Sequence, residues 1–394
     1  MRTPVLVTLG VAAFALAVAG LGASGWPASR FLHGDYIQYW LASRALLEGW
    51  DPYDARTWRA AHDAIGSAGY EIATGYGFLY PLTTAAAALP FALFPVALAA
   101  PLWFVSQTTA VFAALVGLGR RIFASHPVRD LVLLLLLTVI MQPAYVLAGD
   151  GNLSRFLPAI VGGALALLLR GRAFTAGLIL GLGVLKPHLL VVFVLALILF
   201  VPMRERVRVI LGAASTVGAL LAVSVAMRPG WITEWLDEIG RVQGAYGRTN
   251  LWGYVPADDR ALGWGIAAAL VLALLAWWYL RRPPLLAAAS VALGLSLFLS
   301  PYGGPLDQAV LLVAVATYLA MIEDVSGLRR AILVLILIGT STALAWPSWM
   351  GLRDPGFEVE IPGPAIALLL VLLDFVVRAP VRRSRRVAVG TPSG

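Results

Sequence analysis

The sequence has no cysteine, and Lys186 is the only lysine among its 29 basic residues. The absence of cysteine excludes disulfide bonds, thiolate metal ligands, a thiol nucleophile and a lipidated N-terminal cysteine. Charge is also scarce, because only 13% of the residues are charged. Soluble domains carry about a quarter. This composition excludes a soluble enzyme, a disordered protein and a nucleic-acid-binding protein.

In place of charge, the sequence has long apolar runs. Of its 394 residues 60% are hydrophobic, and the mean hydropathy is +0.84. A membrane-spanning helix needs about 20 apolar residues. We therefore predict an all-α polytopic membrane protein with a single domain over 1–378. Its charge-free runs indicate about twelve transmembrane helices, at 4–23, 99–118, 131–148, 155–169, 173–186, 189–201, 208–227, 262–280, 285–299, 309–322, 331–346 and 364–378.

The first run follows Met1-Arg2, as the apolar part of a signal peptide does. Its apolar stretch is longer than a signal peptide needs, and further spans follow it. We therefore expect an anchor helix that is retained. At the other end, residues 379–394 are basic and then rich in Gly, Pro and Ser, so we expect a disordered tail.

The basic residues alternate in register with these runs. Eighteen basic and five acidic residues fall on one side, which gives that side a net charge of +13. The other 11 basic and 16 acidic residues give the opposite side a net charge of −5. Because membrane proteins keep their positive loops inside, we predict a cell-membrane protein with both termini in the cytoplasm. The formal charge of +8 then reports orientation and does not indicate an acidic partner.

This topology puts the long polar loops on the outer face, where we expect the functional site. One segment, 78–98, is apolar enough for a short span and contains three prolines. A single extra crossing there would invert every later loop. We read it as a re-entrant or interfacial helix, or as part of a broken span. The outer loops are 26–80, 149–154, 228–261, 300–308 and 347–363.

The first outer loop predicts two helices. Apolar and aromatic residues recur at mostly three- and four-residue spacing from Tyr36 to Leu47, which predicts an amphipathic helix lying on the membrane. Gly49 can close this helix, and Pro52 prevents its continuation. We expect a second short helix from Asp54 to about Ala64.

Asp35 precedes the first of these helices and allows two interpretations. With Gln38 three residues later it resembles a capping box, in which the carboxylate caps the helix N-terminus. A carboxylate at the boundary between water and membrane can also serve as a general base. The two roles do not exclude each other.

Short motifs occur in a fixed order along the chain. They are Asp35-Tyr36 with Trp40, Ala42 and Leu46, Gly49-Trp50-Asp51-Pro52-Tyr53-Asp54, Phe78-Leu79-Tyr80-Pro81-Leu82, Gly149-Asp150-Gly151-Asn152, Gly181-Leu182-Gly183-Val184-Leu185-Lys186-Pro187, and Ser300-Pro301-Tyr302 followed by Asp307. The ordered set resembles glycosyltransferase family 87, within the C superfamily of membrane glycosyltransferases (GT-C). The family often has Gln at the position of Asp150 and a second Pro at the position of Leu82.

The resemblance implies a GT-C-like helical bundle that transfers a sugar, as the family's mannosyltransferases and arabinofuranosyltransferases do. It implies a polyprenyl-phosphate sugar as donor and a lipid or glycan hydroxyl as acceptor, with inversion at the anomeric carbon. No cofactor, metal or nucleic acid is expected. Asp35 would be the catalytic base, and the phosphate would be held by Lys186, His188 and Arg155. The sugar or acceptor would be bound by Tyr36, Asp150, Asn152, Tyr302 and Asp307.

Each of these assignments has a plainer alternative. Lys186 ends an apolar run and can simply reach water at the membrane interface. His188 can be structural, Arg155 can pair with Asp150, and Asp307 can be a helix N-cap. A transporter or lipid flippase, or a scaffold without catalysis, is the competing function. The charges, however, cluster at span ends, and no similarity between halves is evident, whereas transporters often show internal repeats.

Overall fold

The computed structural model describes residues 32, 34–67, 76–140, 151–242, 250–256, 258–301, 305–339, 365 and 367–374. These residues are helical or connect helices, and none of them forms a strand. The α-helices are α1 (Tyr36–Glu48), α2 (Ala55–Ala64), α3 (Leu82–Ala92), α4 (Val96–Ile122), α5 (Pro127–Ile140), α6 (Leu157–Leu168), α7 (Ala173–Gly181), α8 (Pro187–Phe200), α9 (Met203–Met227), α10 (Trp231–Val242), α11 (Leu251–Tyr254), α12 (Arg260–Arg281), α13 (Leu285–Leu299), α14 (Leu312–Met321) and α15 (Gly327–Ile338). Three 3₁₀ helices cover Leu153–Phe156, Leu182–Leu185 and Pro305–Leu311.

The apolar helices indicate a membrane protein. Three of them, α4, α9 and α12, are long and apolar enough to cross a membrane by themselves. The other predicted runs within the described residues coincide with shorter apolar helices, several of which continue a 3₁₀ helix. The run 4–23 lies outside the described residues, and the number of twelve spans stays a prediction.

The chain divides into two compact units. Unit 1 comprises 1–114, 143–187 and 207–246, and unit 2 comprises 115–142, 188–206 and 247–394. In unit 1, α1 packs along α3, whose facing surface is built from alanines. The small side chains let the two helices approach closely, so that the Ser43 hydroxyl donates to both Tyr39 O (2.7 Å) and Ala85 O (2.8 Å).

This packing changes the interpretation of α1. Every residue from Tyr36 to Ser43 is buried, so α1 is a core helix and not the surface-lying amphipathic helix that its spacing predicts. The predicted apolar face of α1 is present, but Ile37, Leu41 and Ala45 on the other faces of the helix are apolar as well and are also buried. The end of α1 is as predicted, because Gly49 adopts a left-handed conformation (φ 79°) and donates to Ala45 O.

The second predicted helix of the first outer loop is confirmed as α2. Its N-cap is Asp54, whose carboxylate accepts from Thr57 N at 3.1 Å. Only Trp58 and His62, one turn apart, are buried, and the other side chains are half-buried or exposed. The amphipathic helix of this loop is therefore α2.

The ambiguous segment 78–98 forms α3, which contains Pro90, and the start of α4. Its first part belongs to the unit 1 core, where Leu82, Ala85 and Ala88 pack with α1. Its interpretation as a re-entrant or interfacial helix, or as part of a broken span, stays a prediction.

Helices α7 and α9 cross closely in unit 1 through glycines. A Cβ atom at Gly177 would lie 2.2 Å from Val209 O, and one at Gly212 would lie 2.2 Å from Phe174 O. The Thr216 hydroxyl adds a hydrogen bond to Leu178 O at 2.8 Å. Backbones that meet at this distance tolerate no side chain at the crossing.

Unit 2 contains a buried ionic cluster between α5 and the turn after α14. The carboxylate of Glu323 accepts three backbone N–H groups, from Ala124 (3.0 Å), Ser125 (2.7 Å) and His126 (2.7 Å). Asp130, which is fully buried, accepts from Arg330 at 2.5 Å. Buried charges require such partners. The three hydrogen bonds to Glu323 and the ion pair between Asp130 and Arg330 connect the start of α5 to the segment between α14 and α15.

Candidate functional site

Asp35 lies immediately before α1 in unit 1 and is 9% exposed. Its carboxylate makes no cap hydrogen bond, because the Asp35 backbone is already helical (φ −66°, ψ −26°). The capping-box prediction is therefore wrong for this carboxylate. Gln38 instead donates its side-chain amide to Asp35 Oδ1 at 3.4 Å. The carboxylate therefore contacts a side chain of α1 and does not cap the helix with a backbone N–H group.

The segment that meets Asp35 is the one around Asn152. Asn152 Nδ2 donates to Asp35 Oδ2. Asn152 Oδ1 accepts from Ser154 N at 2.7 Å and so caps the 3₁₀ helix Leu153–Phe156. This second bond fixes the amide orientation, since only the oxygen can accept from a backbone N–H. The nitrogen must therefore face Asp35.

Helix α4 holds the backbone of this segment. Trp103 Nε1 donates to Gly151 O at 2.7 Å, and Gln107 Nε2 donates to Asn152 O at 2.9 Å. The two side chains are four residues apart and therefore lie on the same face of α4. Gly151 has a left-handed backbone (φ 70°), which a side chain would disfavour. Both carbonyls of the turn are thus bound to one rigid helix.

Lys186 joins the same cluster. It follows the 3₁₀ helix Leu182–Leu185, is 6% exposed, and donates from Nζ to Ser154 Oγ at 2.7 Å. Its ammonium also lies 5.9 Å from the ring centre of Tyr80. A lysine that only reached for water would be exposed, so the snorkelling interpretation does not describe it. Asn152 and Ser154, two residues apart, connect the candidate base to this ammonium.

Arg155 lies on the same 3₁₀ helix, and its guanidinium stacks on the ring of Phe104 at 4.5 Å. Its Nη1 is buried and has no hydrogen-bond partner among the described residues. A buried guanidinium N–H without an acceptor is costly, so this group can receive an anion. The alternative partner, Asp150, lies outside the described residues.

Aromatic rings surround the cluster. Tyr36 and Tyr39 both pack on Trp103, and their ring centres lie 5.3 and 5.9 Å from the centre of the Trp103 ring, respectively. Tyr39 also packs edge to face on Tyr80, with ring centres 4.9 Å apart. The Tyr39 hydroxyl accepts from Leu153 N at 3.4 Å. Tyr36, predicted to contact sugar, is therefore a fully buried part of the wall beside Asp35.

The remaining predicted site residues belong to unit 2 or lie outside the described residues. His188 is the second residue of α8, and Asp307 is 6% exposed within the 3₁₀ helix Pro305–Leu311; both belong to unit 2. Asp307 lies inside the first turn of its helix. Asp150 and Tyr302 lie outside the described residues. Within the described part of the chain, no three His, Asp or Glu side chains are grouped as metal ligands.

Several residues of the cluster were not predicted from the sequence. Ser154, Gln107 and Trp103 belong to it, and Ser154 had a signal in the sequence, since it follows Asn152 by two residues. Gln107 is a polar residue of the apolar helix α4 and is 0% exposed. A buried glutamine in a predicted span is expensive, and this could have marked it as part of a site.

A second polar group of unit 1 joins the segment between α1 and α3 to α10. Arg228 pairs with Asp51 and with Glu234 (2.5 Å), and the hydrogen bond to Glu234 raises the pKa of Arg228. Glu238 accepts from Gly77 N at 3.2 Å, and Trp235 donates to Leu79 O at 3.1 Å. These contacts hold the segment that leads to Tyr80 against α10.

Comparison with known proteins gives one match. A family model described as glycosyltransferase family 87 matches residues 78–301, which is more than half of the chain. The matched segment includes Asn152, Arg155 and Lys186, and Asp35 precedes it. No curated protein and no solved structure matches the chain.

Proposed function

The chain belongs to glycosyltransferase family 87 and is a membrane glycosyltransferase, and on that premise we propose the following reaction. A sugar moves from a polyprenyl phosphate to a hydroxyl of a lipid or glycan acceptor, with Asp35 as general base. The observation that carries the proposal is the placement of the buried Asp35 carboxylate in one cluster with the Lys186 ammonium.

In this reaction the acceptor oxygen attacks the anomeric carbon and forms the new glycosidic bond. The bond from the anomeric carbon to the phosphate oxygen breaks, and its electron pair leaves with the polyprenyl phosphate. The acceptor proton passes to the Asp35 carboxylate. Direct attack opposite the leaving phosphate inverts the anomeric centre. A positioned base of this kind accelerates a reaction roughly 10²–10⁴-fold.

The phosphate requires positive charge, because it gains charge as it leaves. Lys186 supplies an ammonium beside the Ser154 hydroxyl, and Arg155 supplies the buried Nη1 that has no acceptor among the described residues. We assign the phosphate to Lys186 and Arg155 of unit 1. His188 belongs to unit 2, and its contact with phosphate stays a prediction from the sequence. Charge-assisted hydrogen bonds of this type are about twice as strong as neutral ones.

The sugar and acceptor contacts are assigned to Tyr36 and Asp150. Asn152 already has a partner at each end of its amide, Ser154 N and Asp35. Asp307 belongs to unit 2, Tyr302 lies outside the described residues, and their contact with sugar stays a prediction from the sequence. Tyr36 supports this assignment because its ring forms part of the aromatic wall at Asp35. The charge distribution of the loops favours a reaction at the outer face of the cell membrane, where lipid-linked donors replace nucleotide sugars.

The test is a transfer assay with purified protein in lipid vesicles. Radiolabelled polyprenyl-phosphate mannose or arabinofuranose is supplied with crude lipid acceptors, and product is separated by extraction. Asp35→Asn keeps the size of the side chain and should lower transfer by roughly 10²–10⁴-fold. Asp63→Asn, at an exposed position on α2, is the matched control and should retain full activity.

Two outcomes would contradict the proposal. Full activity in Asp35→Asn would show that Asp35 is not the general base. Exchange of the labelled lipid across the vesicle without any covalent product would indicate a carrier. The anomeric configuration of the product, measured by NMR, should be opposite to that of the donor.

A further inference from the structure

We propose that Asn152 is a positioning residue for the transfer reaction: its side-chain amide holds the Asp35 carboxylate, and Gln107 and Trp103 of α4 hold Asn152. The inference rests on the proposed role of Asp35 as base. It gives Asn152 a task different from the sugar contact that its motif suggests.

The first argument is that both ends of the Asn152 amide have protein partners. Oδ1 is bound by Ser154 N, and Nδ2 donates to Asp35 Oδ2. Asn152 is 4% exposed and Asp35 is 9% exposed, so little water competes with this bond. A hydrogen bond from an N–H to an ionised carboxylate is strong under these conditions.

The second argument is the support behind Asn152. Gln107 and Trp103, 0% and 2% exposed, donate to the two successive carbonyls that precede the 3₁₀ helix. Neither side chain contributes charge or chemistry to a reaction. Their contacts fix the backbone from which the Asn152 amide reaches the carboxylate. Catalytic groups held by such a supporting layer keep the geometry that the reaction needs.

The consequence for the chemistry concerns the direction of the carboxylate. To act as a base, the carboxylate must turn an oxygen toward the acceptor hydroxyl. Donation from Nδ2 occupies one side of Oδ2 and so fixes the orientation of the group. The cations of the same cluster, Lys186 and Arg155, and the neutral Gln38 remain in place when Asn152 is replaced.

Asn152→Asp tests this role with minimal change of shape. An aspartate at 152 can still accept from Ser154 N and cap the 3₁₀ helix, but it offers Asp35 an oxygen in place of a donor. The variant therefore loses the hydrogen bond that orients the Asp35 carboxylate. We expect kcat to fall about tenfold, because the base no longer faces the acceptor hydroxyl in a fixed direction. KM for the donor should change less than about twofold.

The alternative roles give different results. If Asn152 binds the sugar, the donor KM rises more than kcat falls, which would overturn the proposal. Unchanged kcat and KM would also overturn it. Both results leave the proposed function intact, provided that wild-type transfer depends on Asp35. Absence of transfer by the wild-type protein would instead refute the proposed function.

Gln107→Met provides a second measurement that leaves Asn152 in place. Methionine keeps the volume of the side chain and removes the donor to Asn152 O. We expect kcat to fall severalfold with KM unchanged, because the amide loses its support. Thr108→Val is the control on the next residue of α4, since the Thr108 hydroxyl donates only to Phe104 O of its own helix. Wild-type kcat in Gln107→Met would overturn the supporting role.

Discussion

The side-chain amide of Asn152 donates to the carboxylate of Asp35, which lies 117 residues earlier in the chain. The contact brings the loop after the first predicted span to the turn that follows α5 in sequence. Through Ser154 it also reaches Lys186, a further 32 residues along the chain. Base and phosphate ligand, as proposed, are therefore neighbours in one hydrogen-bonded cluster of unit 1.

Lys186→Met should lower kcat/KM for the polyprenyl-phosphate donor by about 10²–10³-fold, because the leaving phosphate loses its main positive partner. Methionine retains the apolar stem, so the fold should be preserved. Lys186→Arg should restore activity only in part, since a planar guanidinium does not fit the place of a compact ammonium. Initial rates over a range of donor concentrations measure both.

The control for Lys186 is Arg170→Met, which removes an exposed positive charge at the end of α6. It should keep wild-type kcat/KM. Equal kcat/KM in Lys186→Met and the wild type would mean that the ammonium is only structural.

Gly177→Ala should destabilise the protein by roughly 1–3 kcal/mol, because the new methyl group would overlap Val209 O at the crossing of α7 and α9. Gly218→Ala is the matched control: it lies in α9 with open space around its Cβ position, and alanine there favours the helix by up to about 1 kcal/mol. Thermal unfolding in one detergent compares the two. Similar unfolding temperatures for both variants would contradict the close crossing.

His62 should make stability depend on pH. Its ring is 4% exposed, and burial lowers its pKa from 6.5 to about 4. Between these values the unfolded chain binds a proton that the folded protein does not, so the free energy of unfolding falls as pH decreases from about 6.5 to 4. The loss is on the order of 3 kcal/mol at most, and stability is fully retained above pH 6.5.

Unfolding measurements at several pH values check this expectation. His62→Asn places an amide near Nδ1, where it can keep the contact with Ser67 Oγ (2.6 Å), and it should flatten the dependence. His126→Asn, at an exposed position, should leave it unchanged. An equally steep loss in His62→Asn would assign the pH dependence to other groups.

The orientation in the membrane can be tested with single cysteines, because the native chain has none. Asp63→Cys on α2 should react with a membrane-impermeant maleimide added to intact cells. Arg172→Cys, before α7, should react only after the membrane is opened. Both positions are exposed, so accessibility to reagent is decided by the membrane alone. The reverse pattern would invert the predicted topology.

Much of the architecture could be predicted, because apolar runs and helix signals are local. The bounds of α2, its Asp54 cap and the Gly49 end of α1 follow from residue types at fixed spacing. The burial of α1 could not be predicted in the same way. Its stripe of Tyr36, Tyr39 and Trp40 suits a membrane surface as well as a protein core, and only the alanines of α3 decide between them.

The sequence analysis proposed the charged residues of the candidate site but did not identify the residues that hold them in position. Asp35 and Lys186 stand out because a carboxylate and a lone lysine are conspicuous among apolar residues. Gln107 and Trp103 carry no motif, since their function is to bind backbone carbonyls of another segment.

The sequence by itself determined that this is a helical membrane protein, which residues could supply charge, and the family, because hydropathy, charge order and short motifs are properties of the linear chain. The tertiary structure alone decided that the Asp35 carboxylate does not cap α1 and instead accepts a hydrogen bond from Asn152. It also decided that Lys186 donates to Ser154. Contacts over 117 and 32 residues depend on how α1, α4 and the 3₁₀ helices pack. Burial then makes these contacts necessary, because a polar group removed from water must find its partner within the protein.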